Sequence, residues 1–179
     1  MARARRAPLP VVVLLAVVAS ACGGAAPAGP DPGSAAGANA LVVRVVDGDT
    51  LVASIGGREE NARLIGIDTP ETKRPDTPVE CFGPEASDRL HALLPAGTPV
   101  RLELDEEPRD RYGRLLVYLH RSADDAFINE AMVVEGLADT LSIAPNTAYD
   151  DRFAAAVTAA RAGSAGLWGA CPDAHSPAG

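Results

Sequence analysis

The sequence contains few aromatic residues and few cysteines. Aromatic side chains make up 4% of the 179 residues, whereas hydrophobic residues of all kinds make up 47%. A chain of this length is typical of one domain with appendages, and we expect the core of that domain to be aliphatic. The sequence has no C-x-x-C pair and its three histidines are scattered, so a zinc site is not indicated.

Basic residues are also in deficit. The chain has 16 Lys and Arg residues against 24 Asp and Glu residues, and its formal net charge is -8 at pH 7. Because phosphate backbones favour basic partners, this balance predicts weak attraction for long polyanions. A nucleic-acid site on this protein would therefore depend on a local group of basic side chains.

The first 21 residues have the features of an export signal. A positively charged n-region (Arg3, Arg5 and Arg6) precedes an apolar run over 11–18 and the small residues 19–21. The apolar run is shorter than the ~20 residues that a membrane-spanning helix needs. We therefore predict a signal peptide over 1–21 and an exported mature protein, with the Sec and Tat routes both left open.

Cys22 follows the small residues directly, in the arrangement of a bacterial lipoprotein signal. We favour lipidation of Cys22, which would anchor the protein to the outer face of the cell membrane. Simple secretion after cleavage at the same bond is the alternative. Removal of 1–21 takes away three arginines and no acidic residue, so the formal charge changes from -8 to -11.

Two cysteines, Cys81 and Cys171, remain once Cys22 carries a lipid. Outside the reducing cytosol such a pair can form a disulfide. A bridge between them closes a long loop and contributes ~4–5 kcal/mol in the chain-entropy model. Two buried free thiols are the alternative, which an extracellular compartment disfavours.

Composition divides the rest of the chain into a tether, a domain and a tail. Residues 22–39 are rich in Gly, Ala and Pro and predict a flexible tether, the folded domain is expected over 40–172, and 173–179 is expected to be a disordered tail. Strands are predicted at 41–46, 50–55, 61–67, 99–104 and 114–120, and helices at 84–94, 128–137 and 147–161. This pattern indicates a mainly β fold with helices, for which a small OB-like barrel is one option.

Four segments group acidic and basic residues: 46–50, 63–72, 82–86 and 110–115. Phosphodiester hydrolysis uses such groups. A hard cation with oxygen ligands neutralises charge on phosphate, a guanidinium group matches two phosphate oxygens, and a carboxylate orients or deprotonates the attacking water. The candidates are Asp49, Arg63, Asp68, Glu71 and Arg114.

Each candidate also has an ordinary structural interpretation. An isolated D-G-D sequence is more often a solvated turn, and a single arginine on a strand usually forms a surface ion pair that stabilises little. The joint occurrence of the four segments is what favours a metal-dependent phosphodiesterase.

These motifs resemble the staphylococcal (micrococcal) nuclease or thermonuclease family. The shared segments lie within 41–171 and read D-G-D-T, R-L-x-G-I-D-T-P-E, F-G-P-E-A and D-R-Y-G-R, followed by Asn129, Gly136-Leu137-Ala138 and Gly166-Leu167-Trp168. The resemblance implies a five-stranded OB-fold Greek-key barrel with about three α-helices and one active-site Ca²⁺. It also implies endonucleolytic hydrolysis of DNA or RNA to 3′-phosphate and 5′-hydroxyl ends.

The resemblance further implies a role for each candidate residue. The implied metal ligands are the carboxylates of Asp49 and Asp68 and the backbone carbonyl of Thr69. Glu71 would act as general base or orient the water. The phosphate and its transition-state charge would be bound by Arg63 and Arg114.

The resemblance implies that Tyr112 packs or hydrogen-bonds near the nucleotide. Among the neighbouring residues, Lys73 is a candidate substrate contact on the Glu71 loop. Arg111, beside the site, is either a further phosphate contact or a solvated surface charge. Two tyrosines that family members place against the base fall near Leu141 and Ile143 here, so base stacking should be weaker. Arg74, next to Lys73, adds positive charge. We expect a DNA or RNA substrate, no protein partner and a monomer.

Two other functions stay open at this point. The first is a non-catalytic OB-type lipoprotein that binds nucleic acid or protein, which the complete set of five candidate residues disfavours. The second is a structural surface lipoprotein whose tether carries the function. Absence of calcium-dependent cleavage by the purified domain would favour the first function. A phenotype that does not change when Glu71 is replaced by Gln would favour the second.

Overall fold

The computed structural model describes residues 37–73 and 78–171. The predicted signal peptide, Cys22, most of the tether, Arg74 and the tail lie outside the described residues, so those assignments stay predictions. The described part contains eight strands and four helices. They are β1 (Ala40–Val45), β2 (Thr50–Ile55), β3 (Arg58–Leu64), β4 (Gly66–Asp68), α1 (Gly83–Leu93), β5 (Pro99–Glu103), β6 (Leu115–Arg121), β7 (Ala126–Phe127), α2 (Ile128–Val134), β8 (Asp139–Leu141), α3 (Asp150–Ala162) and α4 (Leu167–Ala170).

Five strands close into a barrel. β3 pairs with β2, β2 with β1, β1 with β5 and β5 with β6, all antiparallel, and a parallel pairing of β3 with β6 completes the ring. This order is that of an OB-fold Greek-key barrel, in which closure leaves few unpaired edges. The predicted fold class, mainly β with helices, is confirmed.

A two-residue turn at Gly56 and Gly57 fixes the start of β3. Both glycines have positive φ, 56° and 81°, as a tight hairpin with the twist of its strands requires. Ile55 therefore pairs with Arg58. β3 begins at Arg58, three residues before the predicted start at Asn61. The turn determines this pairing, although the first residues of the strand are polar and give no strand signal in the sequence.

The predicted third strand over 61–67 is wrong at its other end as well. β3 ends at Leu64, and a separate short strand, β4, pairs with β8 through Asp68 and Asp139. Gly66 begins this second strand with a φ of 77°. A Cβ atom on Gly66 would overlap the Phe153 ring, so the chain turns where that ring packs against its backbone.

The barrel interior is aliphatic, as expected, but one layer of the core is not. Tyr118, Phe127, Tyr149 and Phe153 pack ring against ring, with centroids 4.6–6.2 Å apart. These rings fill the space between β6 and α3. The expectation of a wholly aliphatic core is therefore wrong for this layer, because the few aromatic residues are concentrated in one place.

The helices pack around the barrel. α1 carries Pro84 in its first turn, where the missing N–H is not needed, and α2 ends at Val134, three residues earlier than predicted. The end of α2 meets the start of α4 backbone to backbone, since a Cβ atom on Gly136 would overlap the carbonyl group of Ala165. α4 was not predicted.

A disulfide joins Cys81 to Cys171 across 90 residues of sequence, with the two Cα atoms 6.0 Å apart. It connects the segment before α1 to the residue that follows α4. Within residues 37–73 and 78–171, no helix has both the length and the apolar character needed to cross a membrane.

Candidate active site

The guanidinium group of Arg63 lies between two carboxylates. Arg63 is in β3, Asp49 precedes β2 and Asp68 ends β4. Arg63 Nη1 forms an ion pair with Asp49 Oδ2, and Arg63 Nη2 lies 2.8 Å from Asp68 Oδ1. The side chains of Arg63 and Asp49 are only 13% and 10% exposed, so little water screens the pair.

Asp49 is held by Thr69 as well as by Arg63. Asp49 Oδ2 accepts hydrogen bonds from the backbone N–H of Thr69 (3.1 Å) and from its hydroxyl group (2.9 Å). Gly48 allows this approach, since a Cβ atom there would lie 2.7 Å from Thr69 Oγ1. The D-G-D sequence is thus more than a solvated turn, because it places a buried carboxylate against the end of β4.

Burial and charge act on the neighbouring acids. Desolvation raises the pKa of Asp47, and the nearby charge of Asp49 raises it further. Desolvation likewise raises the pKa of Asp68, although part of its side chain stays exposed and the charge of Arg63 opposes the rise. The charge of Asp49 therefore disfavours the ionised form of both Asp47 and Asp68, and Arg63 offsets this effect at Asp68.

Glu71 lies three residues beyond Asp68, after Pro70 ends the regular structure. Its carboxylate Oε1 accepts hydrogen bonds from the backbone N–H groups of Thr72 (2.9 Å) and Lys73 (2.7 Å). The Glu71 carboxylate is thus oriented by N–H groups of the two residues that follow it. Lys73 is exposed on the same loop.

Arg114 reaches the site from a loop that Asp110 organises. Asp110 Oδ1 accepts hydrogen bonds from the backbone N–H groups of Tyr112 (2.9 Å) and Arg114 (3.0 Å), and Asp110 Oδ2 accepts one from Arg114 Nε (2.7 Å). Burial alone would raise the pKa of Asp110, but these hydrogen bonds outweigh it and lower the pKa. Gly113, with a φ of 81°, completes the turn.

Tyr112 and Arg111 form the outer edge of this loop. Tyr112 is 70% exposed. Arg111 donates a hydrogen bond to its hydroxyl group (2.7 Å) and places its guanidinium carbon 4.8 Å from the ring centre. Arg114 lies 5.7 Å from the same ring. An exposed ring flanked by two guanidinium groups suits contact with a nucleotide.

Both catalytic arginine candidates line one cleft of about 440 Å³. It is lined by residues 64–67, by Asp110, Arg111 and Tyr112 of the Arg114 loop, and by Leu141, Ile143 and Asn146. Leu141 and Ile143 are 38% and 63% exposed, so they give this part of the lining an apolar, non-aromatic surface. Asp49, Asp68, Glu71 and Lys73 do not line the cleft itself in the described part of the chain.

Asn129 supports this arrangement and was not singled out by its chemistry. It is fully buried, its Nδ2 donates to the carbonyl oxygens of Ile65 (2.9 Å) and Val117 (3.3 Å), and its Oδ1 accepts from Leu119 N–H (2.9 Å). It therefore fixes the break between β3 and β4 against β6. A polar residue inside an apolar helix pattern is the signal that could have indicated this role.

The donor set suits a hard divalent cation. Asp49, Asp68 and the carbonyl of Thr69 all offer oxygen, which Ca²⁺ prefers. Among the residues that the structure describes, no three His, Cys, Asp or Glu side chains gather into a metal cluster. Because both carboxylates pair with Arg63, a cation held by Asp49, Asp68 and Thr69 would share these carboxylates with the guanidinium group.

Comparison with known proteins agrees with this architecture. A family model described as staphylococcal nuclease homologue matches residues 61–170. A thermonuclease of Staphylococcus hyicus is 41% identical over 127 residues, which cover 71% of this chain and 73% of that protein. For a thermonuclease of Staphylococcus intermedius the identity is 44% over 63% of this chain and 66% of that protein. The endonuclease YncB of Bacillus subtilis is 36% identical over 73% of this chain and 61% of its own length.

The predicted resemblance is thus confirmed over most of the folded domain. The family match begins at residue 61, and the relatives extend the similarity over 113 to 132 residues. The chain belongs to the staphylococcal nuclease family of hydrolases.

Proposed function

We propose that the protein is an exported, calcium-dependent endonuclease that hydrolyses DNA or RNA to 3′-phosphate and 5′-hydroxyl ends. One observation carries the proposal: Arg63 and Arg114 line the same cleft, and Arg63 is paired with the two carboxylates that could hold a cation. The names of the relatives, thermonuclease and endonuclease, support the same reaction class.

The arginines would bind the scissile phosphate. A guanidinium fork matches two phosphate oxygens, and it stabilises charge best where water is excluded. Arg63, nearly buried beside Asp49, offers such a setting. Arg114 would bind the phosphate from the other side of the cleft and stabilise the leaving oxygen.

Asp49, Asp68 and the backbone carbonyl of Thr69 would hold the metal ion. When bound, Ca²⁺ would neutralise the negative charge of the phosphate. Glu71 would orient the attacking water or take its proton. Its carboxylate is held by the N–H groups of Thr72 and Lys73, which limits the orientations that it can take.

Substrate contacts would come from Tyr112, Arg111 and Lys73. Tyr112 is exposed at the edge of the cleft and can contact a base or sugar. Because the whole chain is acidic, these local contacts must act against the overall charge. We expect weak nonspecific binding and a shallow dependence of affinity on salt.

The decisive experiment incubates the purified protein with DNA or RNA, in calcium or in a chelator. We expect cleavage only with calcium, and a loss of most activity in Glu71→Gln. Direct labelling of the products by polynucleotide kinase without prior phosphatase treatment would identify 5′-hydroxyl ends. Absence of calcium-dependent cleavage, together with retained binding, would instead favour a non-catalytic binding module.

The location of the protein needs a separate measurement. We propose that 1–21 is removed on export, that Cys22 carries a lipid, and that the nuclease domain spans 40–172 on a tether of residues 22–39, with 173–179 as a tail. Mass spectrometry of the mature N-terminus decides between a lipid anchor and free secretion. An N-terminus still beginning at Met1 in the extracellular fraction would contradict cleavage.

A further inference from the structure

The Cys81–Cys171 disulfide lies next to the chain that holds Glu71. Glu80, which precedes Cys81, exchanges two hydrogen bonds with Glu71. The backbone N–H of Glu80 donates to the carbonyl oxygen of Glu71 (2.9 Å), and the backbone N–H of Glu71 donates to Glu80 Oε2 (2.9 Å). The backbone position of Glu71 is therefore tied to that of Glu80.

The start of α1 supports the same loop from a second side. A Cβ atom on Gly83 would lie 2.7 Å from Thr72 Cγ2 and 3.1 Å from the carbonyl oxygen of Pro70. The chain around Glu71 thus lies directly against residues 80–83. Since the N–H groups of Thr72 and Lys73 orient the Glu71 carboxylate, a shift of this support would redirect the carboxylate.

Burial does little to hold residues 78–81, which include Glu80. Residues 78–81 are all exposed, and Val79 is 58% exposed. Cys171, in contrast, is buried, and so is Trp168 in α4. The disulfide therefore joins an exposed segment covalently to the packed C-terminal helix.

We propose that the Cys81–Cys171 disulfide positions Glu71 through Glu80, so that turnover depends on the oxidised protein. This inference rests on the proposed function, in which Glu71 acts on the attacking water. A dithiol reductant would break the S–S bond and itself become a disulfide, passing two electrons and two protons to form two thiols. The protein would then keep its fold and its cleft but lose the alignment of Glu71.

Such a nuclease would be nearly inactive in a reducing compartment and would gain activity after export. Cys81 is exposed and lies within reach of a reductant or an oxidant. The disulfide would thus limit cleavage of nucleic acid inside the cell that makes the enzyme.

The first test compares oxidised protein, protein reduced with dithiothreitol, and the Cys81→Ser/Cys171→Ser double variant. Turnover of DNA with calcium is measured at a temperature at which circular dichroism and Trp168 fluorescence show a folded protein. We expect kcat to fall about 10- to 100-fold in both forms without the disulfide, with KM unchanged. A folded, reduced protein with unchanged kcat would overturn the proposal.

A second test leaves the disulfide intact and measures the contact through which it would act, so it can refute the proposal even where the double variant does not fold. Glu80→Ala removes the acceptor for Glu71 N–H, whereas Glu80→Gln keeps one. We expect Ala to lower kcat with KM unchanged, and Gln to restore most of it. Glu135→Ala, which removes an exposed ion pair with Arg89, is the matched control and should keep its kcat.

The two proposals fail in different ways. If oxidised wild-type protein does not cleave DNA with calcium, the nuclease function is wrong. If it cleaves, and either Glu80→Ala or reduction of the folded protein leaves kcat unchanged, only the positioning role of the disulfide through Glu80 is wrong.

Discussion

Arg63 and Arg114 face the same cleft but are held in opposite ways. Arg63 lies on a barrel strand, 13% exposed, with Asp49 on one side of its guanidinium group and Asp68 on the other. Arg114 lies at the end of a loop, 34% exposed, and pairs with Asp110. The first arginine is part of the barrel and lies between two carboxylates, whereas the second belongs to a loop and pairs with one carboxylate.

Arg63 thus balances the charge of two carboxylates, whereas Arg114 balances that of one. Without Arg63, two carboxylates would be left facing each other, one of them buried. Without Arg114, Asp110 would still accept hydrogen bonds from two backbone N–H groups. Removal of either should impair catalysis, but only removal of Arg63 should also disturb the fold.

The largest effect is expected on turnover in Arg63→Lys and Arg114→Lys. A lysine cannot reproduce the guanidinium fork, so we expect kcat to fall by about 10²–10³-fold in each, as for the loss of one preorganised donor. Arg63→Lys should be the more damaging, because Arg63 is the more buried. Steady-state kinetics with DNA and calcium provide the measurement. A kcat within threefold of wild type in either variant would exclude that arginine from the reaction.

The next effect separates the two arginines by stability. We expect Arg63→Met to lower the free energy of unfolding by about 3 kcal/mol, because a buried carboxylate loses its partner, and Arg114→Met by less than about 1 kcal/mol. Calcium should recover stability in Arg63→Met more than in wild type. Denaturant unfolding in chelator and in calcium tests this, and equal losses in the two variants would remove the distinction.

A smaller effect concerns the apolar wall of the cleft. Ile143→Tyr would add a ring to the lining of the cleft that also contains Tyr112, and stacking of a base on an aromatic ring is worth about 1–3 kcal/mol. We expect KM for single-stranded DNA to fall about fivefold, near the low end of that range, with kcat unchanged. Val134→Tyr, at a comparably exposed position outside the cleft, is the control. If both tyrosines lower KM alike, the effect is nonspecific.

The smallest effect is a difference in pKa between two carboxyl groups, those of Asp68 and Asp110, in calcium-free solution. Asp68 has a raised pKa and Asp110 a lowered one. At a pH between its unfolded and folded pKa values, Asp68 is more protonated in the folded state, so its contribution to stability falls as the pH rises. The contribution of Asp110 is instead lost as the pH falls through the pKa of its folded state. Because the two oppose each other in overall stability, carboxyl ¹³C NMR titration is the suitable measurement. Titration of Asp68 below Asp110 would contradict the expected order.

The fold was predictable where local signals were strong. β2 was predicted at its observed bounds, because apolar residues precede the Gly56–Gly57 turn. β3 was misplaced, since its first residues are polar and only their pairing with β2 makes them a strand. β4 and β8 were missed, because each has three residues and forms only by pairing with a segment far away in sequence.

The site was predictable in its members but not in its connections. The motifs named Asp49, Arg63 and Asp68, and the structure brings these three together. Asp110 binds its loop through both carboxylate oxygens, and Glu71 is hydrogen-bonded to Glu80. Both sets of bonds depend on side-chain directions, which sequence spacing does not reveal. Lys73 lies on the Glu71 loop rather than along the cleft, so its role as a substrate contact stays a prediction.

The parallel pairing of β3 with β6 has a consequence for the order of folding. It aligns Arg63 with Leu116, and so brings Arg63 and Arg114 together across about 50 residues of intervening chain. Contacts of high sequence separation form late, after shorter loops have closed. We therefore expect β2 and β3, which a two-residue turn joins, to pair before the cleft forms, and the two arginines to come together when β6 closes the barrel.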